Sequence, residues 1–344
     1  VDRMENQHPV ISTSIKEGER YSSDLALAGE IADSYARDQV FLAYHSKKSS
    51  NTQLRQQQDL ALFCSYLAEA HVQREATSLY TDPHAWSGIT AGLIEGFIRW
   101  QLSRGYAISS INTHLSTIKI HCRLARRAGT LLPAPLQEIL LISGYSHREG
   151  RNADRERAQK RLGSKKAETT ILNAGHIALL KQQPATPIGR RDAFLMYLFL
   201  ELGLRVSEVC ALRVDQIDLA VGTITFYREK VDLEQTHQFS DQALIALMAY
   251  LPHLAQSGSV YLFPGYKGGS MQVRAINKRV GILGKRIGVL HLSPHDLRHC
   301  WATLALKHQT NIDRLQDAGG WSSPAMPLRY ANKARIANEG VKLS

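Results

Sequence analysis

Apolar residues recur at helical spacing along most of this chain, and the places where they stop recurring mark its joints. Residues 1–21 are polar, without a hydrophobic period, and predict a flexible N-terminal arm. From Ser22 the pattern turns helical through Leu25, Ala26, Ile31, Val40, Phe41 and Tyr44. Ser50-Asn51-Thr52 is placed to cap a second helix whose Leu60, Phe63 and Leu67 share one side. Thr81-Asp82-Pro83 breaks the pattern, and a helix is expected from about Ile89 to Arg104. Ser109 or Ser110 is then expected to cap a helix to about Arg127, with Leu115, Ile118 and Leu124 inward. Residues 22–146 thus predict a helical domain of four or five helices with basic outer faces.

Residues 147–166 read HREGRNADRERAQKRLGSKK, mostly basic and without an apolar stripe, and predict a linker. A second domain is expected over residues 167–344. Leu172, Ile177, Leu179 and Leu180 suggest a short helix, and Arg191 to Leu202 a strongly apolar one. Gly203-Leu204-Arg205 ends it, and Val206 to Val209 opens another turn of helix. Val214 to Ile217, Thr223 to Tyr227 and Gln235 to Phe239 alternate as strands of a small antiparallel sheet. Ser240 caps a helix to about Leu251, and Met271 to Ile287 is a basic helix. Ser293-Pro294 supplies a cap and a first-turn proline for a helix that puts His295 and Arg298 one turn apart. Gly319-Gly320 reads as its eventual stop, and Ser323-Pro324 restarts a short helix carrying Tyr330. A last helix is expected over Ala331 to Glu339, before Gly340.

Composition narrows the class. The chain's 344 residues suffice for two domains with a core each, and a net charge of +11 with a pI near 9.5 suits a polyanion such as a nucleic-acid backbone. Cys64, Cys122, Cys210 and Cys300 form no C-x-x-C pair, which argues against a disulfide framework or a cysteine zinc site. No apolar run has the length of a membrane span, and residues 1–21 lack a signal-peptide core, so a cytoplasmic protein is expected.

The candidate chemistry lies in HDLRHCWATLALKHQTNIDRLQDAGGWSSPAMPLRY, from His295 to Tyr330, and in ELGLRVSEVCALRVDQID upstream. His295-x-x-Arg298, then Gly320-Trp321, then Tyr330 nine positions after Trp321, resembles the end of the tyrosine recombinase (phage integrase) family. The upstream segment resembles that family's first box, with Arg205 as the first arginine and Glu208 as its supporting acid. The family also places a lysine in the turn between its second and third strands. Lys230 in FYREKVDLEQTHQF holds that position, although Arg228 and Lys267 are close enough in sequence to be confused with it. The family more often has histidine where Trp321 stands. Tryptophan keeps a hydrogen-bond donor there and removes a titratable group.

The resemblance implies a mainly α, two-domain DNA clamp. An all-helical core-binding domain would precede a mostly helical catalytic domain with a small antiparallel sheet. It implies transesterification of a phosphodiester through a 3′-phosphotyrosine, without metal, ATP or other cofactor. Arg205 and Arg298 would clamp the non-bridging oxygens bidentately, and Trp321 would donate its indole N–H to the same phosphate. Tyr330 would attack, His295 would take its proton, and Lys230 would protonate the leaving 5′-oxygen. Lys47, Lys48, Arg55, Lys119, Arg123, Arg126, Arg274, Lys278 and Arg279 are the expected DNA contacts. The partner implied is double-stranded DNA with a specific site. The protein would be a monomer when free and a homotetramer on paired sites, coupled through its C-terminal tail. Twenty-one polar residues are too few for a separate arm-binding domain, so a Cre-like or Xer-like form is expected.

Three other readings stay open. His295 and His299 are spaced like a zinc-protease pair, but Asp296 stands where that helix needs glutamate. A type IB topoisomerase shares the arginine, lysine, histidine and tyrosine chemistry. A DNA-binding protein with relict catalytic residues is the third.

Overall fold

The computed structural model describes residues 17–158, 170, 172–266 and 268–334. Residues 1–16 of the expected arm, 159–166 of the expected linker, Lys267, and residues 335–339 of the expected tail helix lie outside it. The chain divides into two compact units between Ser164 and Lys165.

The first unit is helical throughout its described residues. Its helices are α1 (Glu17–His45), α2 (Ser50–Glu69), α3 (Ala76–Thr81), α4 (Ala91–Ser103), α5 (Ile108–Arg127), α6 (Pro133–Leu141) and α7 (His147–Glu156), with a short 3-10 turn at Pro83–Trp86. Aromatic Phe63, Trp86 and Phe97 are fully buried in its core beside aliphatic Ile118, and the Trp86 indole N–H donates to the Leu79 carbonyl at 2.8 Å.

Several boundaries differ from expectation. Residues 17–21, expected in the arm, already belong to α1. The cap of α2 is Ser49, whose hydroxyl accepts from the Thr52 N–H at 3.4 Å, so the Ser50-Asn51-Thr52 cluster lies in the first turn. Neither Ser109 nor Ser110 caps α5; it starts at Ile108 after Ala107, because Ile108 is drawn in against α7.

The expected linker is helical over its first half. A capping box between Ser146 and Glu149 starts α7. Gly150 then lies so close to Ile108 that a Cβ would sit 2.9 Å from its methyl. Arg157 donates to the Tyr106 carbonyl at 2.7 Å. The helix docks through a missing side chain and polar bonds, which leave no apolar stripe to read.

In the second unit, α8 (Ala174–Lys181) leads to α9 (Pro187–Leu200), whose Phe194, Leu195, Met196, Leu198 and Phe199 form the middle of the core. After α10 (Val206–Ala211) comes the sheet β1 (Ile217–Asp218), β2 (Thr223–Arg228) and β3 (Leu233–Gln238), antiparallel in that order. The expected strand at Val214 is mostly a 3-10 turn, Val214–Gln216. The Val214 N–H is taken by the Val260 carbonyl at 2.9 Å, so it is unavailable to the sheet. Helices α11 (Asp241–Ala255), α12 (Val273–Arg286), α13 (Pro294–Lys307), α14 (Ile312–Gly319) and α15 (Ala325–Ala334) complete the unit. Among the described residues the fold is mostly helical with a small antiparallel sheet, as the resemblance implied. A separate apolar cluster of Trp301, Ala302, Leu315 and Tyr330, with Trp321 packed against it, lies where α13, α14 and α15 meet.

Candidate active site

Each member of the site is fixed by the way its own segment folds. Gly203, at φ +61°, ends the α9 segment under the Trp301 ring, where a Cβ would come within 2.2 Å of the indole. That turn brings Arg205 to the N-cap of α10. The Glu208 carboxylate, one turn on, accepts from the Arg205 backbone N–H and from its Nη1, both at 2.7 Å. One acid therefore caps the helix and pairs the arginine, and it is buried. Arg205 Nη2 donates to the Gly320 carbonyl at 2.6 Å.

Arg298 comes from the inner side of α13 and is 4% exposed. Its Nη1 donates to the Gly203 carbonyl and its Nη2 to the Gly319 carbonyl at 2.5 Å. Burial and the neighbouring Arg205 pull its pKa down to about 10, with Glu208 opposing. It stays charged at neutral pH.

Helix α14 ends at Gly320, which is left-handed at φ +56°. That reversal aims the terminal carbonyls at the arginines and sends Trp321 back over Arg298, with the ring centroid 4.6 Å from the guanidinium carbon. Trp321 also lies 6.0 Å from the Trp301 ring and 5.7 Å from the Tyr330 ring.

Tyr330 is 4% exposed and meets the edge of His299 at 4.7 Å. Burial raises its phenol above the ordinary tyrosine value, and Arg298, Arg329 and Arg205 pull it partly back. It is protonated at neutral pH and needs a proton acceptor before it can attack.

The structure thus brings Arg205, Glu208, Arg298, Trp321 and Tyr330 together. It does not bring His295 or Lys230 into their hydrogen bonds. His295 is exposed on α13, and Lys230 is exposed in the turn between β2 and β3. Three residues that the sequence reading gives no part in the phosphate site join the cluster. Arg228 is fully buried and bonds Glu208; His237 stands 3.2 Å from an Arg228 nitrogen; His299 packs on the nucleophile candidate. Strand parity carries the signal for Arg228, which shares the inward phase of Ile224 and Phe226 along β2.

The basic residues proposed for DNA divide into two groups. Lys119 donates to the Leu140 and Ile142 carbonyls at the end of α6, Arg55 bonds Asp59 and Thr117, and Arg279 pairs with the buried Asp192. These three already have internal partners. Lys47, Arg123, Arg126, Arg274 and Lys278 are exposed, and Lys48 is half-buried over the Tyr44 ring. Among the described residues, no three His, Cys, Asp or Glu side chains come together to hold a metal ion, so the zinc-protease spacing finds no third ligand. No described helix is long and apolar enough to cross a membrane.

Residues 171–335 match the phage integrase family. Tyrosine recombinase XerC of Xanthomonas campestris pv. campestris (strain B100) is 33% identical over 164 residues, which are 47% of this chain and 51% of the relative. The chain therefore spans about half the length of that relative. XerC of Azotobacter vinelandii (strain DJ / ATCC BAA-1303) is 28% identical over 265 residues, 76% of this chain and 80% of the relative. Among solved structures, a lambda integrase tetramer bound to a Holliday junction superposes with a TM-score of 0.58 at 14% identity, covering 89% of this chain and 79% of that one. That likeness is one of fold. Arg205, Glu208, Arg298, Trp321 and Tyr330 all lie inside residues 171–335, the segment of this chain that matches the phage integrase family.

Proposed function

We propose that this protein is a site-specific DNA recombinase that cuts and rejoins strands through a 3′-phosphotyrosine intermediate. The observation that carries the reading is the convergence of Arg205, Arg298 and Trp321 beside the buried Tyr330. Phosphoryl transfer demands charge stabilisation on the non-bridging oxygens, an in-line nucleophile and a proton for the leaving oxygen. Arg205 and Arg298 supply the first, and the indole N–H of Trp321 adds a neutral donor. The Tyr330 oxygen forms the new bond to phosphorus as the 5′-oxygen leaves. The phenolic proton passes to His295, and Lys230 protonates the leaving 5′-oxygen. Both are exposed, and so would approach the phosphate from the solvent side once DNA is in place. Religation reverses the step, with the bond energy held in the phosphotyrosine, so neither ATP nor metal is needed.

The partner proposed is duplex DNA bearing a specific site, contacted by the exposed Lys47, Arg123, Arg126, Arg274 and Lys278 and by the half-buried Lys48. On paired sites the protein would assemble as a homotetramer from free monomers, with the segment after Tyr330 docking on a neighbouring copy. The lambda integrase tetramer on a Holliday junction supports the assembly by fold likeness. The test is strand exchange between two labelled duplexes carrying the site, in EDTA. Recombinant product is expected. Relaxation of single duplexes without exchange would make the protein a topoisomerase, and binding without cleavage would make it a binding module.

A further inference from the structure

Arg228 has no role in the chemistry just described, yet it is 0% exposed and among the largest fully buried side chains in the chain. It stands at the last position of β2, where the next residues turn out to solvent with Lys230. Its inward phase sends it under the end of α14. Nη1 donates to the Gly319 carbonyl at 2.9 Å and approaches Glu208 Oε1 at 3.3 Å; Nη2 donates to the Ala318 carbonyl at 2.9 Å. Gly320 makes the room: a Cβ there would lie 2.6 Å from Arg228 Cδ and 2.7 Å from Nη1.

The end of a helix leaves carbonyls without intrahelical partners, equivalent to roughly half a negative charge. Here those carbonyls accept from the same two arginines that the proposed reaction assigns to the phosphate. Arg205 holds that of Gly320, Arg298 shares that of Gly319, and Arg228 holds those of Ala318 and Gly319. Arg205 and Arg298 are also the two groups a phosphate would recruit. When it does, their bonds to the turn weaken, and the carbonyl end of α14 would repel the anion and carry Trp321 with it. Arg228 lies too deep to be recruited. Its bonds persist.

We infer that Arg228 is a positioning residue: it anchors the Ala318–Trp321 turn and neutralises the end of α14, leaving Arg205 and Arg298 free to engage the phosphate. This rests on the recombinase reading above. It also ties the hairpin carrying Lys230 to the turn carrying Trp321, since one side chain spans both. His237 stands 3.2 Å from Nη2, and the Phe226 ring lies 5.0 Å from the guanidinium carbon.

The test compares Arg228→Met and Arg228→Lys with the full-length protein. Three quantities are read: DNA affinity, the single-turnover rate of covalent adduct at saturating DNA, and the ¹⁹F resonances of 5-fluorotryptophan protein. The Trp321 resonance is assigned with Trp321→Phe. The methionine variant should bind DNA within about twofold of wild type yet form adduct about 10- to 100-fold more slowly, the cost of a misplaced group. Lysine keeps the charge without the fork and should recover part of that rate. In both, the Trp321 resonance should move while those of Trp86 and Trp100 stay. If the methionine variant fails to fold, the lysine variant alone decides the matter. An adduct rate within twofold of wild type, or a tenfold loss of affinity with an unchanged saturated rate, overturns the proposal. Should wild type form no adduct, the recombinase reading fails by itself, and an unmoved Trp321 resonance would then sink the anchoring role.

Discussion

The guanidinium of Arg298 lies against the face of Trp321, 4.6 Å from its centroid. A buried arginine is costly unless its charge and its donors are met. The indole supplies a face for the charge, the Gly203 and Gly319 carbonyls take two of the N–H groups, and the remaining donors can turn to a phosphate.

Trp321→Phe separates the two uses of the indole, because it keeps a ring under Arg298 and removes the N–H. It should leave thermal stability close to wild type and slow adduct formation by about tenfold, the worth of one hydrogen bond to a charged group. Trp321→Ala removes the ring as well. It should lower stability by about 2 kcal/mol, less than a fully buried tryptophan would cost, because the side chain is only half-buried. Equal melting temperatures for both variants would contradict the packing role.

Acid should weaken the first unit before its carboxylates titrate. Burial lowers the pKa of His121 to about 4, with its bond to the Thr117 carbonyl opposing and His45 assisting; His45 is lowered too, by its own burial. Unfolded histidines bind protons near pH 6.5 and these do not, so stability is fully present above that pH and is lost as pH falls toward 4. His121 contributes a slope of up to about 1.4 kcal/mol per pH unit in that window. Thermal unfolding from pH 7 to pH 5 should show it, and His121→Phe should flatten it. An unchanged slope in that variant would place the acid sensitivity elsewhere.

Much of the second unit was legible in the sequence because its helices announce themselves with caps and apolar runs. Ser240, Ser293 and Gly320 stand where capping chemistry requires them. Arg205, Glu208, Arg298 and Tyr330 were found through spacing that resembles the family. Arg228 enters the sequence reading only as a residue to be confused with Lys230, because arginine is rarely buried and this one stands beside a turn lysine. The phase of β2 pointed inward all the same. Helix α7 was hidden for a different reason: Gly150 docks by having no side chain, so no periodicity exists to detect. Lys119 and Arg279 look like solvated cations in a basic stretch, and only the fold shows the α6 carbonyls and the Asp192 carboxylate that hold them.

Lys230 is exposed in the turn between β2 and β3, with the buried Arg228 two residues away. A substrate with sulfur in place of the scissile 5′-oxygen expels a thiolate, which leaves without a proton donor. Lys230→Ala should therefore be slow on the oxygen substrate and close to wild type on the sulfur one. Arg205→Ala and Arg298→Ala should stay slow on both. A wild-type rate for Lys230→Ala on the oxygen substrate would assign the general acid elsewhere.

The most direct measurement is the covalent bond itself. A duplex selected by this protein from a random-sequence pool is nicked beside the scissile phosphate, so that the short downstream strand diffuses away, and labelled on the upstream side. Wild type should give an SDS-resistant band carrying the upstream label, with the modified peptide mapping to Tyr330 and a free 5′-hydroxyl on the released strand. Tyr330→Phe should bind the same duplex about as tightly and give no band. A band that persists in Tyr330→Phe, or a modified peptide that maps to another residue, would contradict the account.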